Sequence, residues 1–158
     1  MIYAGRRSIE AMLDARVPRH SKRHKTLRDD FLYEEESHKI GDACKEIWQQ
    51  FGSSFKESII DRALSVALEK RGLTVENQKH IDIHFSGVKV GTYVPDKVIN
   101  GAILLELKCK PFLVKEDEKQ FWRYLKASPY RLGFLINFGT KRLEIKRRIY
   151  DLARQDGV

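Results

Sequence analysis

Cysteine is scarce in this chain. Only Cys44 and Cys109 occur in 158 residues, and they show no ligand-like spacing. That excludes a disulfide framework and a zinc cluster and fits a reducing compartment, so the cytoplasm is the expected location. Long hydrophobic runs are also missing. No stretch has the length to span a bilayer and no secretory h-region stands near the N-terminus, so no membrane association is expected. No internal repeat or second domain is visible. Acidic residues are the third shortage: 22 Asp and Glu face 30 Lys and Arg, for a net charge of +8. Such a surplus favours a polyanionic partner, nucleic acid first, although many small basic proteins bind none.

The surplus is local. Residues 1–28 carry eight Lys/Arg against Glu10 and Asp14, a net +6, and the rest of the chain is nearly balanced. Residues 1–30 are therefore expected to be a basic extension. Within it, Ser8–Ala15 fits a short amphipathic helix, and Val17–Asp30 is too polar to order alone. One reading makes it an arm that adds phosphate contacts. The other makes it a solvated extension, or residues upstream of the true start. Glu10, Asp14, Asp29 and Asp30 argue against an organelle-targeting peptide.

Residues 31–158 read as one domain. Ile40, Ala43, Cys44, Ile47, Trp48 and Phe51 recur at helical spacing and Gly52 ends that helix. A second helix is expected over Lys56–Lys70, with Ser53 or Ser54 as N-cap and Gly72 closing it. Glu57 sits in its first turn, where the helix dipole alone would favour a carboxylate. Leu73–Phe85 reads as one strand, Ser86-Gly87 as a turn, and Val88–Tyr93 as the next strand. His80 and His84 are expected at the surface.

The stretch Tyr93–Lys110, Y-V-P-D-K-V-I-N-G-A-I-L-L-E-L-K-C-K, organises the domain. Asn100-Gly101 between two apolar runs is a strong hairpin signal, because both residues tolerate positive φ. Asp96 is expected on the first strand. On the second, alternation puts Leu105 and Leu107 on one face and Glu106 and Lys108 on the other. Charge on a buried strand needs a partner or a metal. Two converging carboxylates followed by a lysine suit a Mg²⁺ site that faces phosphate oxygens. The ordinary explanation of Glu-x-Lys on a strand is an exposed edge or an ion pair, and Pro-Asp often only opens a turn.

After Pro111, Lys115–Ala127 is a helix with Phe121 and Leu125 on its apolar side. Gln120 and Tyr124, at i and i+4, project from one face. Ser128-Pro129 ends it. Arg131–Phe138 is a strong apolar strand, and Leu143–Tyr150 is a last strand or helix.

Pro95-Asp96 with Glu106-Leu107-Lys108 resembles the signature of the PD-(D/E)XK nuclease superfamily. Gln120-Phe-Trp-Arg-Tyr124 matches the QxxxY motif of RecB-like members. Gly52 to Leu64 is similar to the opening motif of the small GxxExxY branch; Glu57 matches, while Ser54 stands at the expected Gly and Ile60 at the expected Tyr. The resemblance spans about residues 32–149. It implies an α/β, restriction-endonuclease-like core with a central mixed sheet flanked by helices. It further implies metal-dependent phosphodiester hydrolysis. Asp96 and Glu106 would bind Mg²⁺ or Mn²⁺, with the Leu107 carbonyl and Glu57 as further oxygen ligands. Lys108 would orient water or stabilise the transition state, Gln120 and Tyr124 would position the scissile strand, and Lys126 would reach phosphate. The expected partner is nucleic acid, DNA before RNA, with a homodimer left open. A binding module without turnover and a structural or protein-interaction domain are the alternatives on the same fold.

Overall fold

The computed structural model describes residues 32–53 and 55–150. The expected helix at Ser8–Ala15 and the basic extension lie outside them. Helix α1 spans Glu34–Phe51 and buries Ile40, Ala43, Cys44 and Ile47, the predicted stripe. Glu34, Glu35 and Glu36 occupy its first turn, where they complement the helix dipole. Gly52, at φ 62°, ends it by donating its N–H to the Trp48 carbonyl. Cys44 is fully buried, and desolvation pushes its thiol up to about 12, so it acts as a small apolar group.

Helix α2 spans Glu57–Lys70 and buries Ile60, Leu64, Ala67 and Leu68. Its N-cap is Lys56, without a side-chain cap, so Ser53 does not cap it as expected; Ser54 lies outside the described residues. Gly72, at φ 79°, closes the helix.

The single strand expected over Leu73–Phe85 is two strands. Strand β1 (Val75–Asn77) and β2 (Ile81–Phe85) are separated at Gln78, which adopts φ 50°. The intervening run Glu76 to His80 is polar and lacks the alternation that would carry a strand through. Among the described residues strand β3 (Val88–Tyr93) pairs only with β2, across the Ser86-Gly87 turn, as a separate two-stranded sheet. His80 and His84 are exposed, as expected.

Strand β4 (Lys97–Ile99) and β5 (Ile103–Lys108) form the organising hairpin, with Asn100 at φ 52° and Gly101 at φ 62°. Helix α3 has the predicted bounds, Lys115–Ala127. Strand β6 (Leu132–Phe138) is buried throughout, and β7 (Leu143–Ile149) is a strand rather than a helix. The main sheet has the order β1-β4-β5-β6-β7. Its β5–β6 pair is parallel and the others antiparallel, so α3 is the crossover that a parallel pair requires.

The sheet divides two apolar cores. On one face Ile99, Ile103, Leu105 and Leu107 pack with α1 and α2. On the other, Val98, Leu104 and Leu135 pack with Phe121 and Leu125 of α3, and with Ile81 and Tyr93 of the small hairpin. Gly133 sets the approach of α3: a Cβ there would lie 2.6 Å from the Phe121 ring. Since Leu105 and Leu107 face α1 and α2, alternation turns Glu106 and Lys108 toward α3. Among the described residues no helix is long and apolar enough to cross a membrane.

Candidate active site

Asp96 is not on a strand but in the bend immediately before β4. Pro95 and the break at Gln78 put it there. The Gln78 N–H donates to the Asp96 carbonyl at 3.1 Å, and the Leu107 N–H donates to Asp96 Oδ2 at 2.7 Å. The residue is therefore held by both its backbone and its side chain. Burial raises the affinity of its carboxyl for a proton, the Leu107 amide opposes this, and the Asp61 charge adds to it.

Glu106, in the middle of β5, accepts a hydrogen bond from the Tyr93 hydroxyl on its Oε2. Burial pushes Glu106 up to about 7; Tyr93 lowers it, Asp96 raises it, and Lys108 lowers it. The Tyr93 phenol is shifted upward, first by burial and then by the Glu106 charge, so it stays protonated and donates. Its ring stacks on Tyr124 with centroids 4.0 Å apart and planes 6° from parallel. The small β2–β3 hairpin thus delivers Tyr93 to β5, and α3 buttresses it.

Glu57 is the first residue of α2. Partial burial raises its pKa, followed by Asp96; Lys108 lowers it, Asp61 raises it, and the Cys109 amide lowers it. The start of α2 therefore lies in the same acidic neighbourhood as the hairpin. Lys108 faces that neighbourhood and lowers the pKa of Glu57, Asp96 and Glu106 alike; at Asp96, Lys97 lowers it as well.

A polar cavity of about 300 Å³ opens beside Glu106 and Lys108. Gln120, Tyr124 and Asp117 line it from α3, and Thr92, Tyr93 and Val94 from the small hairpin. Asp117 also accepts from the Val114 amide at the start of α3 and from Lys110 Nζ at 2.7 Å. Burial opposes, but Lys110 and the Val114 amide hold the Asp117 carboxyl below its usual range.

Of the residues singled out from sequence, Glu106, Lys108, Gln120 and Tyr124 share this cavity. Asp96 and Glu57 are electrostatically coupled to it without lining it. Lys126 is elsewhere: its Nζ lies over the Tyr150 ring, 5.6 Å from the centroid. It sits in the last turn of α3, beside the residue that follows β7, and does not line the cavity.

Several participants were missed. Tyr93 meets Glu106 only because β2–β3 folds as its own hairpin. Lys97 is fully buried, and its Nζ lies 2.8 Å from Asp61 Oδ1, from Ser65 Oγ and from Asn77 Oδ1. A lysine directly after Asp96 and before two apolar strand residues was the one available signal. Its partners lie on α2 and β1, out of reach of local pattern.

Among the described residues, no three His, Cys, Asp or Glu side chains converge as a closed metal cage. The donor chemistry nevertheless suits a hard divalent cation. Mg²⁺ is commonly held by one or two protein carboxylates, with water and phosphate completing its shell. Asp96 commits Oδ2 to Leu107 and Glu106 commits Oε2 to Tyr93, so each has a second oxygen to offer. Burial raises the proton affinity of both carboxylates first, and neighbouring negative charge adds to it (Asp61 at Asp96, Asp96 at Glu106); a bound cation would relieve both.

A five-stranded mixed sheet flanked by helices, with Glu106 and Lys108 on the strand that starts its parallel crossover, defines the class: a restriction-endonuclease-like α/β fold. A profile of the PD-(D/E)XK nuclease superfamily matches residues 34–148, and the chain belongs to that superfamily. No curated protein and no solved structure matches the chain.

Proposed function

We propose that this protein is a divalent-metal-dependent nuclease that hydrolyses phosphodiester bonds of nucleic acid, DNA in the first instance. The observation that carries this reading is Glu106 beside Lys108 at a polar cavity, with Asp96 fixed by the Leu107 amide behind them. Asp96 and Glu106 would hold Mg²⁺ or Mn²⁺, with the Leu107 carbonyl and Glu57 as further oxygen donors. Once bound, the metal supplies Lewis-acid activation of water and neutralises charge on the phosphate.

The chain's own groups account for the rest. The Tyr93 hydroxyl fixes the rotamer of Glu106 and keeps one oxygen occupied. Lys108 is a cation facing three carboxylates; it orients the attacking water and stabilises the charge that develops on the phosphate. Gln120 donates to or accepts from a nucleotide in the cavity, and Tyr124, stacked on Tyr93, forms one wall. Lys126 contributes phosphate contact only along the outer rim, beside Tyr150. The domain comprises residues 31–158 in this reading, with residues 1–30 a basic N-terminal extension. Within the superfamily, Glu57 supports placement in the GxxExxY branch.

Cleavage of single- and double-stranded DNA and RNA with Mg²⁺, Mn²⁺ or EDTA tests this. Cutting of at least one substrate with metal and none with EDTA is expected. A folded protein that binds Mn²⁺ and nucleic acid yet cuts nothing would favour the non-catalytic binding module instead.

A further inference from the structure

The cluster around Lys97 has no part in the chemistry above, yet it adjoins it. Lys97 is 0% exposed, and three acceptors use all three of its protons. Asp61 and Ser65 come from α2, and Asn77 from β1, where it pairs directly opposite Lys97 in the sheet. Ser65 Oγ lies 3.0 Å from Asn77 Oδ1, so the acceptors also hold one another. One ammonium therefore joins α2, β1 and β4. It does so one residue from Asp96 and, through Asp61, one helical turn from Glu57.

We propose that Lys97 is a positioning residue for the metal site, tying the start of β4 to α2 so that Asp96 faces the acidic end of that helix. Stability alone does not account for a buried ammonium here. An apolar side chain of similar shape often serves a core as well or better, because desolvating the ion offsets much of its attraction to a partner. Directional bonds to three acceptors do account for it, since they fix where the β4 start sits against α2. The Asp61–Lys97 pair is neutral overall, so the tie leaves the negative charge of Glu57, Asp96 and Glu106 available to a cation. This inference rests on the metal-binding reading of Asp96.

Calorimetric titration with Mn²⁺ of the full chain tests it, using wild type, Lys97→Met and the double variant Ser65→Ala/Asn77→Ala. The double variant changes no charge, so a loss of affinity in it reports position rather than electrostatic attraction. Folding is checked by circular dichroism. Lys97→Met is expected to weaken Mn²⁺ binding by about tenfold or more, as loss of a group supporting metal ligands commonly does. The double variant should show a smaller loss of the same sign. In cleavage, kcat should fall while KM for nucleic acid stays unchanged. Wild-type Mn²⁺ affinity in the folded variants, with only their melting temperatures lowered, would overturn the inference and leave the metal site standing. If Lys97→Met fails to fold, the double variant decides. A wild type that binds no Mn²⁺ would overturn the metal reading itself, and this inference with it.

Discussion

Two lysines on adjacent strands of one hairpin meet opposite environments. Lys97 is buried and every proton of its ammonium has an acceptor. Lys108 is half-buried, at a polar cavity, and faces carboxylates from α2, β5 and the bend before β4. The first arrangement is closed around the ammonium: Asp61 balances its charge and each of its protons is taken. The second is open: burial first, and then neighbouring carboxylate charge, raise the proton affinity of Glu57, Asp96 and Glu106, and Lys108 opposes this at all three. A closed charged cluster fixes structure, and an open one is suited to bind and react.

The largest effect is expected on the open side. Asp96→Asn removes charge while keeping the amide-accepting oxygen, so the bend should persist. Metal-dependent cleavage should fall by about 10²–10³ or more, as for loss of one preorganised electrostatic group, and Mn²⁺ affinity should fall with it. Wild-type affinity in this variant would move the metal away from Asp96.

On the closed side the loss should appear as stability. Asp61→Ala leaves a buried ammonium without its charge partner. Breaking a fully buried pair costs about 3–5 kcal/mol, but the Asp61 side chain is 35% exposed and water will replace part of what is lost, so about 2 kcal/mol is expected. Urea unfolding measures it. A loss below about 0.5 kcal/mol, the range of ordinary surface changes, would mean the cluster is not closed.

Tyr93→Phe tests the link from the small hairpin to the open site. A hydrogen bond to a charged group contributes about 1.5 kcal/mol or more, so cleavage should drop about tenfold with the fold retained. Unchanged cleavage would make the Tyr93–Glu106 bond incidental. The smallest effect is expected at Lys126, which lies over the Tyr150 ring outside the cavity. Lys126→Ala should cost about 0.5 kcal/mol of stability and leave cleavage within twofold. A large loss of cleavage would make the Lys126 phosphate contact more than a contribution at the rim.

What was legible in the sequence follows the range of the interactions. Asn100-Gly101 marked the hairpin because a tight turn depends on two residues' φ alone. The α3 bounds and the shared face of Gln120 and Tyr124 were legible because helix geometry is local. Glu106 and Lys108 were separated from Leu105 and Leu107 by simple alternation. The break at Gln78 was not legible, since a polar stretch between apolar residues can still pair as a strand; only the sheet shows that β1 and β2 go to different partners. Lys97 and Asp61 lie 36 residues apart, and only the packing of α2 on β4 joins them. Tyr93 reaches Glu106, and Lys126 reaches Tyr150, for the same kind of non-local reason.

The most direct test of the central claim is Mg²⁺-dependent cleavage by Lys108→Ala beside wild type, with nucleic-acid binding and melting temperature measured on the same samples. The account predicts a rate loss of about 10²–10³, with binding and melting nearly unchanged. Undiminished cutting by the variant would contradict the assignment of Lys108 to the chemistry.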